Sequence, residues 1–370
     1  LKTIEYLLEH NCKIIILSHL GKIKSKQDLK KYTLAPIAKR LLELLNANNR
    51  SKIHVVFSNH TRSSAIVEKV AALNSREILM VENTRFEDYP SNYESSCNEE
   101  LSKFWASLGD IFVNEAFASS HRKHASTYGI AKYIPGYIGF RVQEELEMLD
   151  KYILNAEHPF TVVMGGAKLE DKIKVIEKLL PLCDHLLLTG GIANTFLKAL
   201  NINIGFSLCS NDEELIEKIK QILLQYRSKI VLPFDAIVGS SYDKEYTSLK
   251  MINKLDDNEI IYDLGHKTIE KYSIYLNESQ TVFINGTAGK YEDPRYANGT
   301  KEILAALNYS GANVIVGGGD CVAAVNKFNY KDAFTYLCTG GGASLDYIAN
   351  GSLIALEPLK KEENYEVLDF

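Results

Sequence analysis

The sequence lacks several features that would place it in a broad class at once. Its 370 residues contain no apolar run of about 18 residues, so no membrane-spanning helix is expected. The six cysteines are far apart and form no Cys-x-x-Cys pair, which argues against a zinc site or a disulfide framework and fits a reducing compartment. A net charge of −5 gives no overall reason to expect binding to nucleic acid or to a membrane surface.

Two well-known phosphate-binding signatures are also absent. The sequence has no G-x-x-x-x-G-K-[ST] loop, and it lacks the H-R-D and D-F-G motifs of protein kinases. Its composition, 46% apolar and 24% charged, is that of an ordinary globular protein, and its length suits two domains with separate cores. Any phosphate chemistry must therefore use a different scaffold.

Short apolar runs alternate with helical segments along the chain. In the first half they predict strands at residues 13–17, 53–57, 77–81 and 110–113. After Pro159 they predict strands at 160–164, 185–188, 230–232, 260–264, 282–284, 314–316 and 335–337. Uninterrupted apolar strands between helices are typical of parallel sheets covered on both faces. We therefore predict an α/β protein with two doubly wound, Rossmann-like domains of parallel sheet.

A charged, amphipathic segment separates the two halves. It spans residues 141–154 and has no apolar strand on its upstream side, so it could be the last helix of the first domain or a rigid connector between the two. We accordingly predict an N-terminal domain at 1–140, the hinge at 141–154, a C-terminal domain at 155–350 and a tail at 351–370.

Basic residues gather after the predicted strands of the first half. These residues are His19, Lys22, Arg85, His121, Arg122 and His124. The carboxyl ends of parallel strands share one edge of a sheet, so we expect these side chains to form a site for a small polyanion. For any one of them, an unrelated surface position is the alternative.

The second half has glycines where the first half has cations. They follow predicted strands, at Gly165, Gly166, Gly190, Gly191, Gly286, Gly289, Gly317, Gly318, Gly319, Gly340, Gly341 and Gly342. Glycine turns at helix starts present free backbone N–H groups to phosphates, so this half predicts a nucleotide site. Lys168 and Lys172 share one helix face and are candidates to neutralise phosphoryl oxygens, with a solvated charged face as the alternative.

Asp320 follows one of these glycine turns directly. A carboxylate there would repel a bare phosphate, so we interpret it as the ligand of a metal ion that the phosphate carries. An ordinary helix N-cap is the alternative. The same stretch weakly matches a dinucleotide fingerprint, which leaves a nicotinamide dehydrogenase as a lower-ranked hypothesis.

Ordered motifs along nearly the whole chain resemble those of the phosphoglycerate kinase family. They include Ser18-His19-Leu20-Gly21, Glu82-Asn83-x-Arg85-Phe86, Gly165-Gly166-Ala167-Lys168, Gly190-Gly191-x-Ala193, Asn285-Gly286, Gly317-Gly318-Gly319-Asp320 and Gly340-Gly341-Gly342-Ala343-Ser344. The resemblance implies reversible transfer of the acyl phosphate of 1,3-bisphosphoglycerate to ADP, with Mg²⁺, forming 3-phosphoglycerate and ATP. It also implies a cytoplasmic, monomeric glycolytic enzyme that acts by hinge closure, with the tail packed back on the N-terminal domain.

The resemblance also implies the role of each site residue. Lys168 would stabilise the phosphoryl group in flight, surrounded by backbone amides of Gly318, Gly319, Gly341 and Gly342. The phosphoglycerate would be held by His19, Lys22, Arg85 and Arg122. Asp320 would meet the metal, Glu292 the ribose and Lys172 the nucleotide phosphate. The nucleotide would further contact Gly165, Gly166, Lys168, Gly190, Gly191, Asn285, Gly317, Gly318, Gly319 and Cys321.

Several positions differ from the family's pattern. Lys22 replaces an arginine, Thr287 follows Asn285-Gly286 where a proline is usual, and Cys321 replaces a serine or threonine. The family's first strand and an arginine expected just upstream of Leu1 are absent, so we expect residues that precede Leu1. These differences keep open a second hypothesis, a nucleotide-binding relative with little turnover that acts as a binding or regulatory protein.

Overall fold

A computed structural model of the chain describes residues 1–47, 53–167, 169–170 and 172–359. The chain divides into two compact units. One contains residues 1–144 together with residues 352–359, and the other contains residues 145–351. We call them the N-terminal and the C-terminal unit and describe each by itself.

The N-terminal unit alternates short strands with helices. Its elements are α1 (Lys2–Glu9), β1 (Ile14–Ile16), α2 (Lys26–Lys31), α3 (Ala35–Ala47), β2 (His54–Phe57), α4 (Ser64–Ala72), β3 (Glu77–Met80), α5 (Glu99–Ala106), β4 (Phe112–Asn114) and β5 (Gly136–Ile138). Strands β1, β3 and β2 form a parallel sheet in that order, with Ile15 beside Leu79 and Val56 on the other side of Leu79. The central strand β3 is the most buried of the three because it is covered on both faces.

The fourth predicted strand of this half does not join that sheet in the described residues. β4 pairs in parallel with β5, with Val113 opposite Tyr137. The apolar pattern did not reveal β5, because Tyr137 and Ile138 are exposed and the strand has only three residues. Pairing partners of such short strands are chosen by tertiary packing rather than by local pattern.

Part of the predicted tail packs within the N-terminal unit. A short 3₁₀ helix, Ile354–Leu359, lies beside β5, and the backbone N–H of Ala355 donates to the carbonyl of Ser120 at 3.0 Å. A Cβ on Gly136 would come within 2.4 Å of the Leu359 side chain, so this glycine permits the close contact. Residues 360–370 lie outside the described residues.

The predicted hinge segment is helical. Helix α6 (Phe140–Leu149) continues without a break into a π-helical turn, Asp150–Leu154. The boundary between the two units falls inside α6, between Glu144 and Glu145.

The C-terminal unit contains the larger set of elements. They are β6 (Phe160–Met164), α7 (Ile173–Leu179), β7 (His185–Leu188), α8 (Gly190–Ala199), α9 (Glu213–Tyr226), β8 (Ile230–Val231), β9 (Asp235–Ser240), β10 (Thr247–Met251), β11 (Glu259–Leu264), α10 (His266–Glu278), β12 (Thr281–Asn285), α11 (Asn298–Ser310), β13 (Asn313–Gly317), α12 (Gly319–Lys327), β14 (Tyr336–Leu337) and α13 (Gly341–Asn350).

Six of these strands form one parallel sheet in the order β14-β13-β12-β6-β7-β8. Asn285 at the end of β12 lies beside Met164 of β6 and Gly317 of β13, so the three strands end level with one another. All five residues of β6 and of β12 are buried, as expected for strands covered by helices on both faces. This sheet confirms the predicted α/β class.

A second sheet in this unit is antiparallel and was not predicted. β9 lies between β10 and β11, and β11 changes register between Ile261 and Asp263. The run at 260–264 was predicted correctly as a strand, but the pattern could not tell that it pairs outside the main sheet. β10 alternates exposed and half-buried residues, which is the pattern of an antiparallel strand with one solvated face.

No helix within the described ranges combines the length and the apolar character that crossing a bilayer requires.

Candidate active site

The basic residues of the N-terminal unit lie on loops that follow its strands. His19 comes after β1, Arg85 after β3, and Arg122 and His124 after β4. Burial lowers the pKa of His19, and the charges of Arg85 and Arg122 lower it further. Burial, followed by the charge of Arg85, lowers the pKa of His124 to about 4. Because both histidines are influenced by the same arginines, these four residues share one neighbourhood.

One buried side chain joins two of these loops. The Oδ1 atom of Asn83 accepts hydrogen bonds from the backbone N–H groups of Leu20, at 3.2 Å, and of Arg85, at 3.1 Å. Its Nδ2 atom donates to the carbonyls of Leu20 and Tyr32, both at 2.8 Å. The Nη1 atom of Arg85 in turn donates to the carbonyl of Gly21 at 2.5 Å. These bonds position the guanidinium before any ligand arrives.

Lys22, the remaining predicted cation of this half, is exposed on the same loop as His19. Arg122 is also exposed, and its Nε atom donates to Nε2 of His121 at 3.0 Å. The sequence predicts His121 and His124 as cations at strand ends. That His121 accepts a hydrogen bond from Arg122, and that His124 lies near Arg85, follows only from the folded structure.

Glu94 secures the loop that carries His124. Its carboxylate accepts hydrogen bonds from the backbone N–H of Ser126, at 3.0 Å, and from the Ser126 hydroxyl, while its carbonyl accepts from the N–H of Ala125. The side chain is buried, and burial raises its pKa to about 7 against the effect of the Ser126 bonds.

We expect Glu94→Gln to alter the pH dependence of stability. Because the folded pKa lies above the ordinary value of 4.5, the folded state keeps a proton that the unfolded chain loses. The stability that this group contributes therefore falls as the pH rises from 4.5 to about 7, by up to about 3 kcal/mol. The uncharged glutamine should remove this fall. Urea unfolding at about pH 5 and about pH 7 measures the change in unfolding free energy between the two pH values. Glu100→Gln, at an exposed position, is the control. An equal fall in Glu94→Gln and the parent would contradict the interpretation.

The glycine turns of the C-terminal unit lie at one edge of the six-stranded sheet. They follow five neighbouring strands, with Gly340–Gly342 after β14, Gly317–Gly319 at β13, Gly286 after β12, Gly165-Gly166 after β6 and Gly190-Gly191 after β7. Helices α8, α12 and α13 begin at these turns. The edge therefore presents several helix N-termini, which attract anions.

The turns approach one another too closely for side chains. A Cβ on Gly286 would lie 2.3 Å from the carbonyl oxygen of Gly165, and one on Gly191 would lie 2.8 Å from that of Ala167. A Cβ on Gly341 would lie 3.1 Å from the Cα of Gly318. The glycines thus allow five backbone turns to form one continuous surface.

Asn285 brings a polar side chain to this surface. It is buried at the end of β12, and a Cβ on Gly318 would lie 3.2 Å from its Nδ2 atom. Nδ2 has no hydrogen-bond partner within the described part of the chain. A buried donor beside a helix N-terminus is well suited to a phosphate oxygen.

Lys172 lies between two of the turns. Its Nζ atom donates to the carbonyl of Gly165 at 2.6 Å and lies 3.4 Å from the carbonyl of Asn285. Its positive charge is thus at the sheet edge. Lys168, which was predicted to act on the transferred group, lies outside the described residues.

Asp320 lies exposed in the first turn of α12, beside the Gly317–Gly319 turn. Burial raises the pKa of Tyr291, and the charges of Glu292 and Asp320 raise it further, so both carboxylates lie near this tyrosine. Among the described residues no three His, Cys, Asp or Glu side chains are grouped so that they could hold a metal ion by themselves. One carboxylate beside glycine turns at helix N-termini fits Mg²⁺, which typically binds to one or two carboxylates together with substrate phosphates.

Comparisons with known proteins identify the family of the chain. The family model "Phosphoglycerate kinase" matches residues 1–351. The chain belongs to the phosphoglycerate kinase family. A phosphoglycerate kinase of Fusobacterium nucleatum is 40% identical over 368 residues, which cover 98% of this chain and 90% of that protein. One from Lactobacillus delbrueckii subsp. bulgaricus is 40% identical over 362 residues, which cover 95% of this chain and 88% of that protein.

Solved structures of phosphoglycerate kinases share the fold. The enzyme from Coxiella burnetii has a TM-score of 0.81 and 35% identity, covering 97% of this chain and 88% of that chain. The enzyme from Pyrococcus horikoshii has a TM-score of 0.78 and 29% identity, and the match covers 97% of this chain and 89% of that chain. Membership of the phosphoglycerate kinase family confirms the predicted enzyme class, a nucleotide-dependent kinase of glycolysis, and does not favour the binding-protein alternative.

Two residues that differ from the family's pattern have clear local roles. The Cys321 side chain is buried in the apolar core of the C-terminal unit, and burial raises the pKa of its thiol to about 12. The backbone N–H of Gly286 acts against this rise, so the thiol lies next to the Gly286 turn. The Thr287 hydroxyl donates to the carbonyl of Gly289 at 3.1 Å and so stabilises its own loop.

The structure shows supporting contacts at two further residues. The Oγ1 atom of Thr300 accepts hydrogen bonds from the N–H groups of Ala288, at 3.1 Å, and Gly289, at 3.3 Å. Glu145 of α6 accepts one from the N–H of Thr339 at 2.9 Å, directly before the Gly340–Gly342 turn. Such contacts join residues far apart in sequence, so no local pattern signals them.

Proposed function

We propose that this chain transfers the acyl phosphate of 1,3-bisphosphoglycerate to ADP, reversibly, with the residue roles that the phosphoglycerate kinase motifs imply. The N-terminal unit would bind the phosphoglycerate and the C-terminal unit the nucleotide. The hinge closure, the monomeric state and the cytoplasmic location expected from the resemblance are part of the proposal.

One observation supports it above all others. Glycine turns from five neighbouring strands form a single backbone surface, and Asp320 stands at its α12 end. Phosphoryl transfer needs little covalent help and much positioning of charge, which backbone amides, a lysine and a metal-bound carboxylate provide. A surface of this kind favours a phosphorylated nucleotide over an apolar ligand.

The proposed roles divide between binding and charge stabilisation. Arg85, Arg122 and His19 would hold the anionic sugar acid, with Lys22 as a further cation. Asn285 and Lys172 would donate to nucleotide phosphates, and Gly318, Gly319, Gly341 and Gly342 would direct N–H groups at the phosphoryl group. Lys168 would stabilise that group, as the motif implies.

Asp320 would hold the Mg²⁺ that accompanies ADP or ATP. Bound there, the ion would neutralise charge on the nucleotide phosphates. Glu292 would contact the ribose.

A steady-state assay with ATP, Mg²⁺ and 3-phosphoglycerate, coupled to reduction of the acyl-phosphate product, tests the proposal. We expect a kcat of about 1 to 10³ s⁻¹, the ordinary range for enzymes. A folded protein that binds ADP without turnover would contradict the proposal and would support the binding-protein alternative. Tight binding of NADH in place of ADP would instead revive the dehydrogenase hypothesis.

We expect Arg85→Gln to weaken use of 3-phosphoglycerate selectively. The substitution removes a guanidinium that is already oriented by Gly21 and Asn83, so the KM for 3-phosphoglycerate should rise about 10- to 100-fold. The KM for ATP should change by less than about twofold. Exposed Arg40→Gln on α3 is the matched control. Equal rises in both KM values would exclude the proposed role of Arg85.

A further inference from the structure

A cavity of about 460 Å³ lies beside β8, the last strand of the six-stranded sheet. Its walls come from the end of α8, the turn between α9 and β8, the segment from β8 to β9, the end of β10 and one side of α10. This volume is within the range of about 300 to 1,000 Å³ typical of small-molecule pockets. None of its wall residues belongs to the glycine turns.

The charged side chains on the wall are both positive. They are Arg227 and Lys271, and no Asp or Glu of the described residues lines the cavity. The Nη1 atom of Arg227 donates to the carbonyl of Ile230 at 3.3 Å, which holds the guanidinium at the wall. The Nζ atom of Lys271 lies 5.0 Å from the ring centroid of Tyr275, another wall residue. The C-terminal ends of α8 and α9, at Leu200 and Arg227, also line the cavity, so its complementarity to a negatively charged group rests on these two cations.

The mouth of the cavity exposes large apolar side chains. Leu200, Phe234 and Met251 line it and are 38%, 45% and 37% exposed. They come from three different parts of the chain but line one cavity, so their exposed apolar surface is concentrated at one place. Apolar exposure concentrated around a concave site often marks ligand binding.

We propose that this cavity binds a small amphiphilic anion, an aliphatic monocarboxylate. The carboxylate lies between Arg227 and Lys271, and the hydrocarbon chain covers Leu200, Phe234 and Met251. A nucleotide is a poor occupant, because the wall contains neither a glycine turn nor the N-terminus of a helix for its phosphates.

The site is separate from the proposed nucleotide site. In the sheet order, β8 lies next to β7, which carries the Gly190-Gly191 turn, but it is four strands from β13, which carries the Gly317–Gly319 turn. At about 4.8 Å per strand this is about 19 Å. An aliphatic monocarboxylate such as octanoate should therefore bind at the same time as Mg-ADP without competing with it.

Isothermal titration calorimetry on the whole chain tests the proposal with hexanoate, octanoate and decanoate, each below its micelle concentration. We expect one saturable site whose affinity rises about two- to fourfold for each added methylene. Neutral 1-octanol should bind at least about tenfold more weakly than octanoate, because it lacks the charge that the two cations recognise.

Variants locate the site. Arg227→Gln and Lys271→Gln should each weaken octanoate about fivefold or more and leave 1-octanol unchanged. Leu200→Glu places a carboxylate at the mouth and should abolish octanoate binding, and it alters a position that is already partly exposed. Lys301→Gln, at an exposed position of α11, removes one positive charge elsewhere in the same unit and is the matched control. Melting temperature and kinase turnover should stay at parent values in all four.

Four results would overturn the proposal. They are no saturable binding at millimolar decanoate, equal affinity for octanoate and 1-octanol, the same octanoate affinity in Lys271→Gln and Lys301→Gln, and displacement of octanoate by Mg-ADP.

Discussion

Asp320→Asn should lower kcat/KM for the Mg-nucleotide by about 100-fold or more while leaving the KM for 3-phosphoglycerate within about twofold of the parent value. Asparagine keeps the size of the side chain and one oxygen ligand, but it removes the negative charge that would hold the ion. Asp320 is exposed in the first turn of α12, so its loss should cost only about 0.5 kcal/mol of helix stability. Initial rates at a series of Mg²⁺ concentrations measure the effect.

Asp332→Asn is the control for this result, because it makes the same change at an exposed position of the C-terminal unit outside the glycine turns. It should leave every kinetic constant unchanged. An equal loss for both substrates in Asp320→Asn would contradict the division of roles between the units. Full activity would remove Asp320 from the metal site.

Gly286→Ala should destabilise the C-terminal unit by on the order of 3 to 5 kcal/mol. Gly286 has φ +96°, a conformation that L side chains rarely adopt, and its Cβ would lie 2.3 Å from the oxygen and 2.5 Å from the carbon of the Gly165 carbonyl. Both atoms belong to the backbone directly after β6, and Gly286 itself directly follows β12, so neither segment can move without disturbing the sheet. Urea unfolding followed by circular dichroism measures the loss, and kcat should fall with it.

The matched control is Gly311→Ala. Gly311 also has positive φ, +69°, but a Cβ there has no atom within 4 Å, so it should cost only about 1 kcal/mol. The difference in unfolding free energy between the two variants measures the cost of the contact with Gly165, apart from the cost of a positive φ. Equal losses would show that the close approach of Gly286 to Gly165 contributes nothing.

Much of the C-terminal unit was predictable because its strands are buried on both faces. The predicted strands at 160–164 and 185–188 coincide with β6 and β7, since an apolar run covered by helices has the same boundaries in sequence and in structure. The antiparallel sheet was missed for the opposite reason. The half-exposed residues of β10 resemble a loop until a partner strand is known.

The candidate site was predicted unevenly. Glycine turns and strand-end cations have local signatures, so Gly318, Asp320 and Arg85 could be named from motifs. The buried orientation of Cys321 and the bonds of Asn83 depend on what lies opposite each side chain, and the sequence carries no local signal for that.

The sequence by itself determined the α/β class, the family and the residue types available for phosphate chemistry, because buried runs, glycine turns and ordered motifs are local properties of a chain. The tertiary structure decided the strand order that brings five glycine turns to one edge, and the pairing of β4 with β5. It also decided the burial that lowers the pKa of His124 and raises that of Glu94. Each of these depends on contacts between residues far apart in the chain, and such contacts exist only once the chain has folded.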